Sequence, residues 1–202
     1  MNKKYILIII SIVVLLFIIN SFFENDKSNK DSDYYLTSPW VTERIDWFFL
    51  TLPEKWIEAN EEIEKSRDKY DKISYEAHMY KMVTNGLYLT CMYMNAKDEI
   101  YENWSLDNSS TAIINQVLYN LNCQDISLNK LPPFNNPIES NYEAFSNCKP
   151  NDFHAKSRAI RYKNHILIVC TCFNDSDSTL NVISDRILSG IENKYQEVSN
   201  VK

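Results

Sequence analysis

The chain has 202 residues, with 21 lysines and arginines against 27 aspartates and glutamates, for a formal net charge of −6. Such acidity makes nucleic acid an unfavourable partner, because phosphate binding needs clustered cations. With only two glycines in the whole sequence, P-loops and dinucleotide fingerprints, which need glycines where backbone meets phosphate, are excluded.

Lys3 and Lys4 precede an apolar run from Tyr5 to Ile19, in which thirteen of fifteen residues are Ile, Leu, Val or Phe. These favour insertion into a bilayer by about 4 to 8 kcal/mol. The run has no polar stripe at helical spacing, so it does not read as a soluble core helix. Continued to Phe23 it is long enough to span a thin bilayer. The flanking lysines orient the N-terminus to the cytoplasm. Small residues are poorly placed for a signal peptidase, with Ser21 preceded two positions earlier by Ile19, so the reading is an uncleaved signal-anchor helix over residues 1–23, with a cleaved signal as the alternative. Either way the remainder is exported, to the periplasm or extracellular face of an inner membrane, in a single pass.

Residues 24–38 are polar and charged, which predicts a flexible tether. Residues 39–202 then form one exported domain, of a size that buries most of its unfolded surface. Removing Lys3 and Lys4 leaves 19 basic residues against 27 acidic ones, so the exported part carries about −8. A basic protein suits that surface, although net acidity also serves solubility alone.

Glu43 to Leu50 reads as a strand closed by Leu52-Pro53. Pro53 is then placed to start a helix over Glu54 to Tyr70, with Trp56, Ile63, Arg67 and Tyr70 on one side and Glu61, Glu62, Glu64 and Lys65 toward water. Ser74 to Asn95 predicts a β-hairpin: two strand-like runs flank Thr84-Asn85-Gly86, and Asn-Gly supplies the positive φ angles of a tight turn. Ser109 to Asn122 has helical spacing, with Asp107 or Ser109 as N-cap. After a proline-rich connection, Leu131-Pro132-Pro133-Phe134, three strands follow at Tyr142–Cys148, Phe153–Tyr162 and His165–Phe173, the last two joined at Lys163-Asn164. Asp175 to Ser178 caps a final helix with Leu180, Ile183, Ile187 and Ile191 inward. Hairpin-joined strands with intervening helices predict an α+β fold, a mainly antiparallel sheet with about three helices, preceded by the transmembrane helix.

A strand running into "LPEKW", a hairpin, a helix, further antiparallel strands and the closing "HILIVCTCFNDSDSTLNVISDRILSGIE" resemble the PsbP/DcrB-like domain over most of residues 43–193. That resemblance implies an exported, compact domain used for binding rather than catalysis. It brings no universal functional residues, and Glu54 to Lys72 is longer than its pattern.

Histidines come next. Reflection across the Lys163-Asn164 turn sets His165 opposite Tyr162 and His154 opposite Phe173, about 30 Å apart at 3.3 Å per residue, too far for a shared metal. Asp152 beside His154 could form an acid–base pair, but no nucleophile is placed near it. Asp175-x-Asp177-x-Thr179 imitates a calcium loop, yet Leu180 and Arg186 stand where glycine and glutamate are needed. Neither a metal, a cofactor nor a catalytic set is expected.

Five cysteines, Cys91, Cys123, Cys148, Cys170 and Cys172, sit in an oxidising compartment. Cys170 and Cys172 share a strand face, so neither bridges the other easily, and each could reach Cys148 or Cys123. The leading candidate disulfide joins Cys170 or Cys172 to Cys148. Buried unpaired thiols are the alternative.

These features point to a membrane-anchored protein-binding domain, in the form of an immunity or inhibitor protein that neutralises a toxin in the bacterial envelope. An accessory or structural envelope role is the second reading and a small hydrolase the third. The candidate partner-binding residues are Glu58, Glu61, Glu62 and Glu64.

Overall fold

The computed structural model describes residues 32–65, 67–84, 86–134, 138–147 and 152–193. Seven antiparallel strands form the main sheet: β3 (Ile57–Glu58), β4 (Ser74–Thr84), β5 (Leu87–Ala96), β6 (Gln124–Leu131), β7 (Glu139–Asn147), β8 (Phe153–Tyr162) and β9 (His165–Asn174). Their order is β3-β4-β5-β9-β8-β7-β6. A small antiparallel sheet, β1-β2-β10, comes from Val41–Ile45, Phe48–Leu52 and Glu192–Asn193. Six helices are described: α1 (Ser32–Thr37), α2 (Asn60–Lys65), α3 (Arg67–Ile73), α4 (Asp98–Tyr101), α5 (Leu106–Asn120) and α6 (Ser178–Ser189). The architecture is α+β and mainly antiparallel, with more helices than the expected three. No helix among the described residues is long and apolar enough to cross a membrane. The expected anchor, residues 1–23, lies outside them.

The sheet is covered on both faces, and the period-two alternation of its central strands divides the core accordingly. From β9, Ile166, Ile168, Cys170 and Cys172 join the core under α2, α3 and α5, where Ile113, Ile114, Val117 and Leu118 of α5 meet them. Leu167, Val169 and Phe173 point the other way, against Phe48, Leu50 and Leu52 of β2 and Leu180, Ile183 and Ile187 of α6. Burying a side chain of this kind is worth about 1.5–3 kcal/mol, so the strand legible as one apolar run is the centre of two cores.

Several local expectations are corrected. Residues 43–50 are not one strand but the hairpin β1–β2, because Asp46 takes φ +46° and turns the chain. Pro53 starts no helix: Ile57 and Glu58 pair with Lys81 and Tyr80 as an edge strand, and the helix begins at Asn60. The cap of α5 is Ser105, whose hydroxyl accepts from Asn108 N at 3.2 Å, rather than Asp107 or Ser109. Strand β6 was hidden by its exposure, having little buried surface to create an alternating pattern. The tether expected over residues 24–38 stops short, since Tyr35 of α1 is fully buried and its hydroxyl bonds Thr84 and Glu54. The Lys163-Asn164 turn and the β8–β9 register, Tyr162↔His165 and His154↔Phe173, agree with the reading from sequence.

Cys170 and Cys172 are free, buried thiols, as is Cys91, so the expected bridge from Cys170 or Cys172 is not formed. The helix-covered core encloses both residues of the pair, and burial pushes their thiols up, holding them protonated. Cys123, at the end of α5, is disulfide-bonded. The fifth cysteine, Cys148, lies outside the described residues.

One buried ion pair ties the far side of the sheet to α6. Arg158, 2% exposed, donates Nε and Nη2 to Glu139 Oε2 at 3.1 and 2.6 Å and Nη1 to the carbonyls of Leu188 and Ile191 at 2.6 and 3.2 Å. The guanidinium thereby satisfies carbonyls at the C-terminal end of α6, where a positive charge also suits the helix dipole.

Candidate functional site

One polar group on the sheet lies where β3, β4, β5 and β9 run past the β1–β2 turn. His78 on β4 stands opposite Tyr93 on β5, and Tyr93 opposite Leu167 on β9, two residues from His165. Alternation then places Glu76, His78 and Tyr80 on one face, with Tyr93 and His165 beside them. Glu58 of β3 pairs with Tyr80 and completes the row.

Both ring nitrogens of His78 meet carboxylates, Nδ1 with Glu58 Oε1 at 2.9 Å and Nε2 with Glu76 Oε1 at 2.8 Å. Burial opposes a charge on the ring, but the hydrogen bonds and charges of Glu76 and Glu58 outweigh it and raise the pKa. His78 is thus held toward the imidazolium form, which donates to both acids.

A second group forms around Asp46. Its Oδ2 accepts from the Tyr93 hydroxyl at 2.8 Å, and His165 Nδ1 lies 2.8 Å from that hydroxyl and 3.1 Å from Oδ2. Burial, then the bond to Asp46, raises the Tyr93 pKa and keeps the phenol protonated. Burial lowers that of His165, against the pull of Asp46, so its ring is neutral and Nδ1 is the donor. The left-handed backbone at Asp46 is what aims the carboxylate here, a conformation that aspartate tolerates. Each of these three groups satisfies another, which suits a rigid support better than a base poised for proton transfer.

Aromatic rings join the two groups into a band. Trp56 stacks on Tyr80 at 4.5 Å, and His78 lies 6.2 Å from Tyr80 and 6.1 Å from Tyr93. Tyr93 stacks 6.0 Å from His165, Trp47 follows at 5.8 Å, and Tyr162 lies 5.6 Å beyond Trp47. Lys163 covers the last two rings at 5.1 and 5.5 Å. At the β3 end the flanking charges are instead the carboxylates of Glu58 and Glu76.

Next to that acidic end, between α3 and β4, lies a cleft of about 230 Å³. Ile63 and Ala77 give it apolar wall, while Tyr70, Asp71, Ser74, Glu76 and His78 give it polar lining. His78 and Glu76 therefore belong to both band and cleft.

The candidate acids from sequence are divided by the structure. Glu58 is drawn into the His78 group, whereas Glu61 and Glu64 are exposed on α2, Glu64 lying 3.6 Å from Arg67. The Glu62 side chain lies outside the described residues. His154 sits at the other end of the β8–β9 hairpin from His165, between Phe145 and Phe173, so the two histidines do not meet. Its carboxylate neighbours are Glu143 at 3.3 Å and Asp175 at 3.5 Å, and Asp152, the acid considered beside it, gives its carbonyl to Asp175 N. Asp177 caps α6, accepting from Thr179 N and Leu180 N at 3.0 Å. Among the described residues no group of three or more His, Cys, Asp or Glu is arranged to hold a metal ion.

Sequence reading missed the His78 group, although its signal was present. In "YEAHMY", Glu76, His78 and Tyr80 recur at spacing two and so share a face. Glu58 could not be added while it was assigned to a helix.

No protein-family model matches this chain, and no curated protein is similar to it. Among solved structures it is similar to a Pseudomonas aeruginosa protein of unknown function, at 10% identity and a TM-score of 0.28, over 69% of this chain and 86% of that one. A superposition that loose carries no functional argument.

Proposed function

We propose that this chain is a membrane-anchored, extracytoplasmic binding domain whose partner is a basic protein and which has no turnover of its own. The observation that carries the reading is the acid-flanked aromatic band from Trp56 to Tyr162, with Glu58 and Glu76 at one end and the exposed Glu61 and Glu64 on the neighbouring helix. Rigid aromatic side chains supply contact area at little entropic cost, and surrounding carboxylates favour a cationic partner. The apolar segment at residues 5–23 holds the domain at the inner membrane. An immunity or inhibitor role is the form of binding we favour, since a small anchored domain can neutralise an incoming basic toxin simply by covering it. The resemblance to PsbP/DcrB-like domains points toward binding as well.

The test uses the full-length chain in the membranes of the producing organism. Chemical cross-linking and recovery of the salt-resistant membrane pellet should yield one predominant basic protein. Charge reversal at Glu61 and Glu64 should reduce that capture. A soluble processed form would remove the anchor from the reading, and capture indifferent to the reversals would remove α2 from the interface.

A further inference from the structure

Helices α1 and α6 pack side by side over the core that they share with β2, and contacts at their two ends fix their direction. At one end Thr179 Oγ1 donates to Asp33 Oδ1 at 3.1 Å. At the other, Trp40 folds back over α1, donating Nε1 to the Tyr35 carbonyl at 2.7 Å, and the Arg186 guanidinium lies 3.9 Å from its ring centroid. Residues 33 and 40 thus meet residues 179 and 186 in the same order, so the helices run parallel. One turn on from Asp33 stands Leu36, and one turn on from Thr179 stands Val182. Both leave the core, Leu36 at 39% exposed and Val182 at 53%, whereas their neighbours Tyr35 and Ile183 are fully buried. The result is an apolar ridge of Leu36, Val182 and half-buried Trp40, closed at one end by Arg186.

Position and composition both bear on what covers this ridge. Only Glu24 to Asp31 separate Phe23, the end of the apolar N-terminal run, from the start of α1 at Ser32. A stretch of that length reaches at most about 30 Å, so α1 is the part of the domain tied nearest to the bilayer. A tryptophan beneath an exposed arginine also suits the membrane boundary, where indole sits at headgroup level and a guanidinium reaches phosphate. The acids beside the ridge are engaged elsewhere, Asp33 with Thr179 and Asp185 with Lys156 at 2.5 Å. A patch this small does not hold a free protein on lipid. It suffices for a tethered one, because a short linker makes docking intramolecular, at an effective concentration of about a millimolar.

We propose that the α1–α6 ridge docks the domain on the lipid surface of its own membrane; this rests on the membrane-anchored reading above. Leu36 and Val182 enter the interface, Trp40 lies at headgroup depth and Arg186 meets lipid phosphate. Helix α2 packs through Ile63 into the core on the opposite face of the sheet, so this pose turns Glu61 and Glu64 away from the bilayer. The domain is thereby held in one orientation, with its acidic helix toward an arriving protein.

The experiment places the full chain in phosphatidylcholine nanodiscs, with a fluorophore on a cysteine introduced by Val182→Cys. Lipids carrying a nitroxide near the top of the acyl chain are the quencher. Cys91, Cys170 and Cys172 are buried, and the unsubstituted chain taken through the same labelling supplies the background. The label at Val182 should lose at least about half its fluorescence, as expected for a side chain within the headgroup–acyl boundary. A label introduced by Tyr119→Cys, at a residue 69% exposed on α5 across the sheet, should lose little. Leu36→Asp and Arg186→Gln, both at exposed positions, should each relieve the Val182 quenching at least about twofold. Quenching no greater at Val182 than at Tyr119, or unchanged by both variants, overturns the ridge. So does a Val182 label shielded from aqueous iodide yet unquenched by lipid, which would mean that a second copy covers it. In each of these cases a chain that still co-elutes with nanodiscs leaves the anchored reading standing. A chain that does not co-elute removes that reading, and the ridge with it.

Discussion

His78 is the residue whose chemistry depends most on its neighbours. Its pKa is raised above the ordinary 6.5, because Glu76 and Glu58 outweigh the opposing effect of burial. A folded-state value above the unfolded one makes the linked stabilisation complete below about pH 6.5 and lost as pH rises through the raised value. His165 and His154 have the opposite sign. Burial lowers both, so their contribution is full above the unfolded value and lost as pH falls through the lowered ones. A denaturation series from pH 5 to 8 should therefore differ between wild type and His78→Gln, with the variant losing the added stability at the acid end. A parallel pair of curves would show that the two carboxylates do not hold His78 charged. Arg158 and Glu139 are the second case at this scale. Removing one partner of a buried ion pair strands the other, so Glu139→Ala should cost about 3–5 kcal/mol by chemical denaturation. A loss below about 1 kcal/mol, the range of exposed pairs, would contradict the buried geometry.

Elements were legible where one residue type had one reason to be where it is. Gly86 is such a position. It sits at φ +85°, in the two-residue turn that Thr84↔Leu87 closes, as Asn85-Gly86 predicts. A Cβ there would meet Leu180 Cδ1 at 3.5 Å, an ordinary contact, so the penalty of Gly86→Val comes from backbone conformation. It should be about 1–2 kcal/mol by thermal or urea unfolding. A neutral substitution would mean that the turn relaxes out of the left-handed region. The strands around His154 and His165 were equally readable, because a tight turn fixes register by reflection. Other elements were masked by competing signals. Asp46 turned one apolar run into a hairpin, and Trp56 prefers the ring of Tyr80 to the helix that Pro53 suggested. Cysteine pairing was not legible, because same-face geometry identifies where a thiol points but not which partner lies within reach. Cys91, Cys170 and Cys172 are free and Cys123 is bonded. The remaining cysteine is Cys148, and non-reducing peptide mapping of protein from an oxidising compartment should link it to Cys123. A peptide joining Cys170 or Cys172 to another cysteine would contradict the arrangement of the core.

At the scale of the whole molecule, charge and topology act together. The seven-stranded sheet has a core on each face, and the aromatic band packs against the core shared with β2 and α6, with Tyr93 buried at its middle and Trp47, Trp56, Tyr80 and Tyr162 half-buried around it. Aromatic content was visible in the sequence, but its convergence required β3 to lie beside β4 and Asp46 to reach Tyr93, contacts that link residues far apart in the chain. Residues 24–202, at about −8, should attract a basic partner over distances set by the Debye length, about 10 Å at 0.1 M salt. The most direct measurement is the association rate of the full chain, reconstituted in lipid nanodiscs, with its cross-linked partner over a salt series. The account predicts an on-rate that falls steeply with added salt, an off-rate that changes less, and no consumption of the partner. A salt-independent on-rate, or turnover abolished by one side-chain substitution, would contradict it.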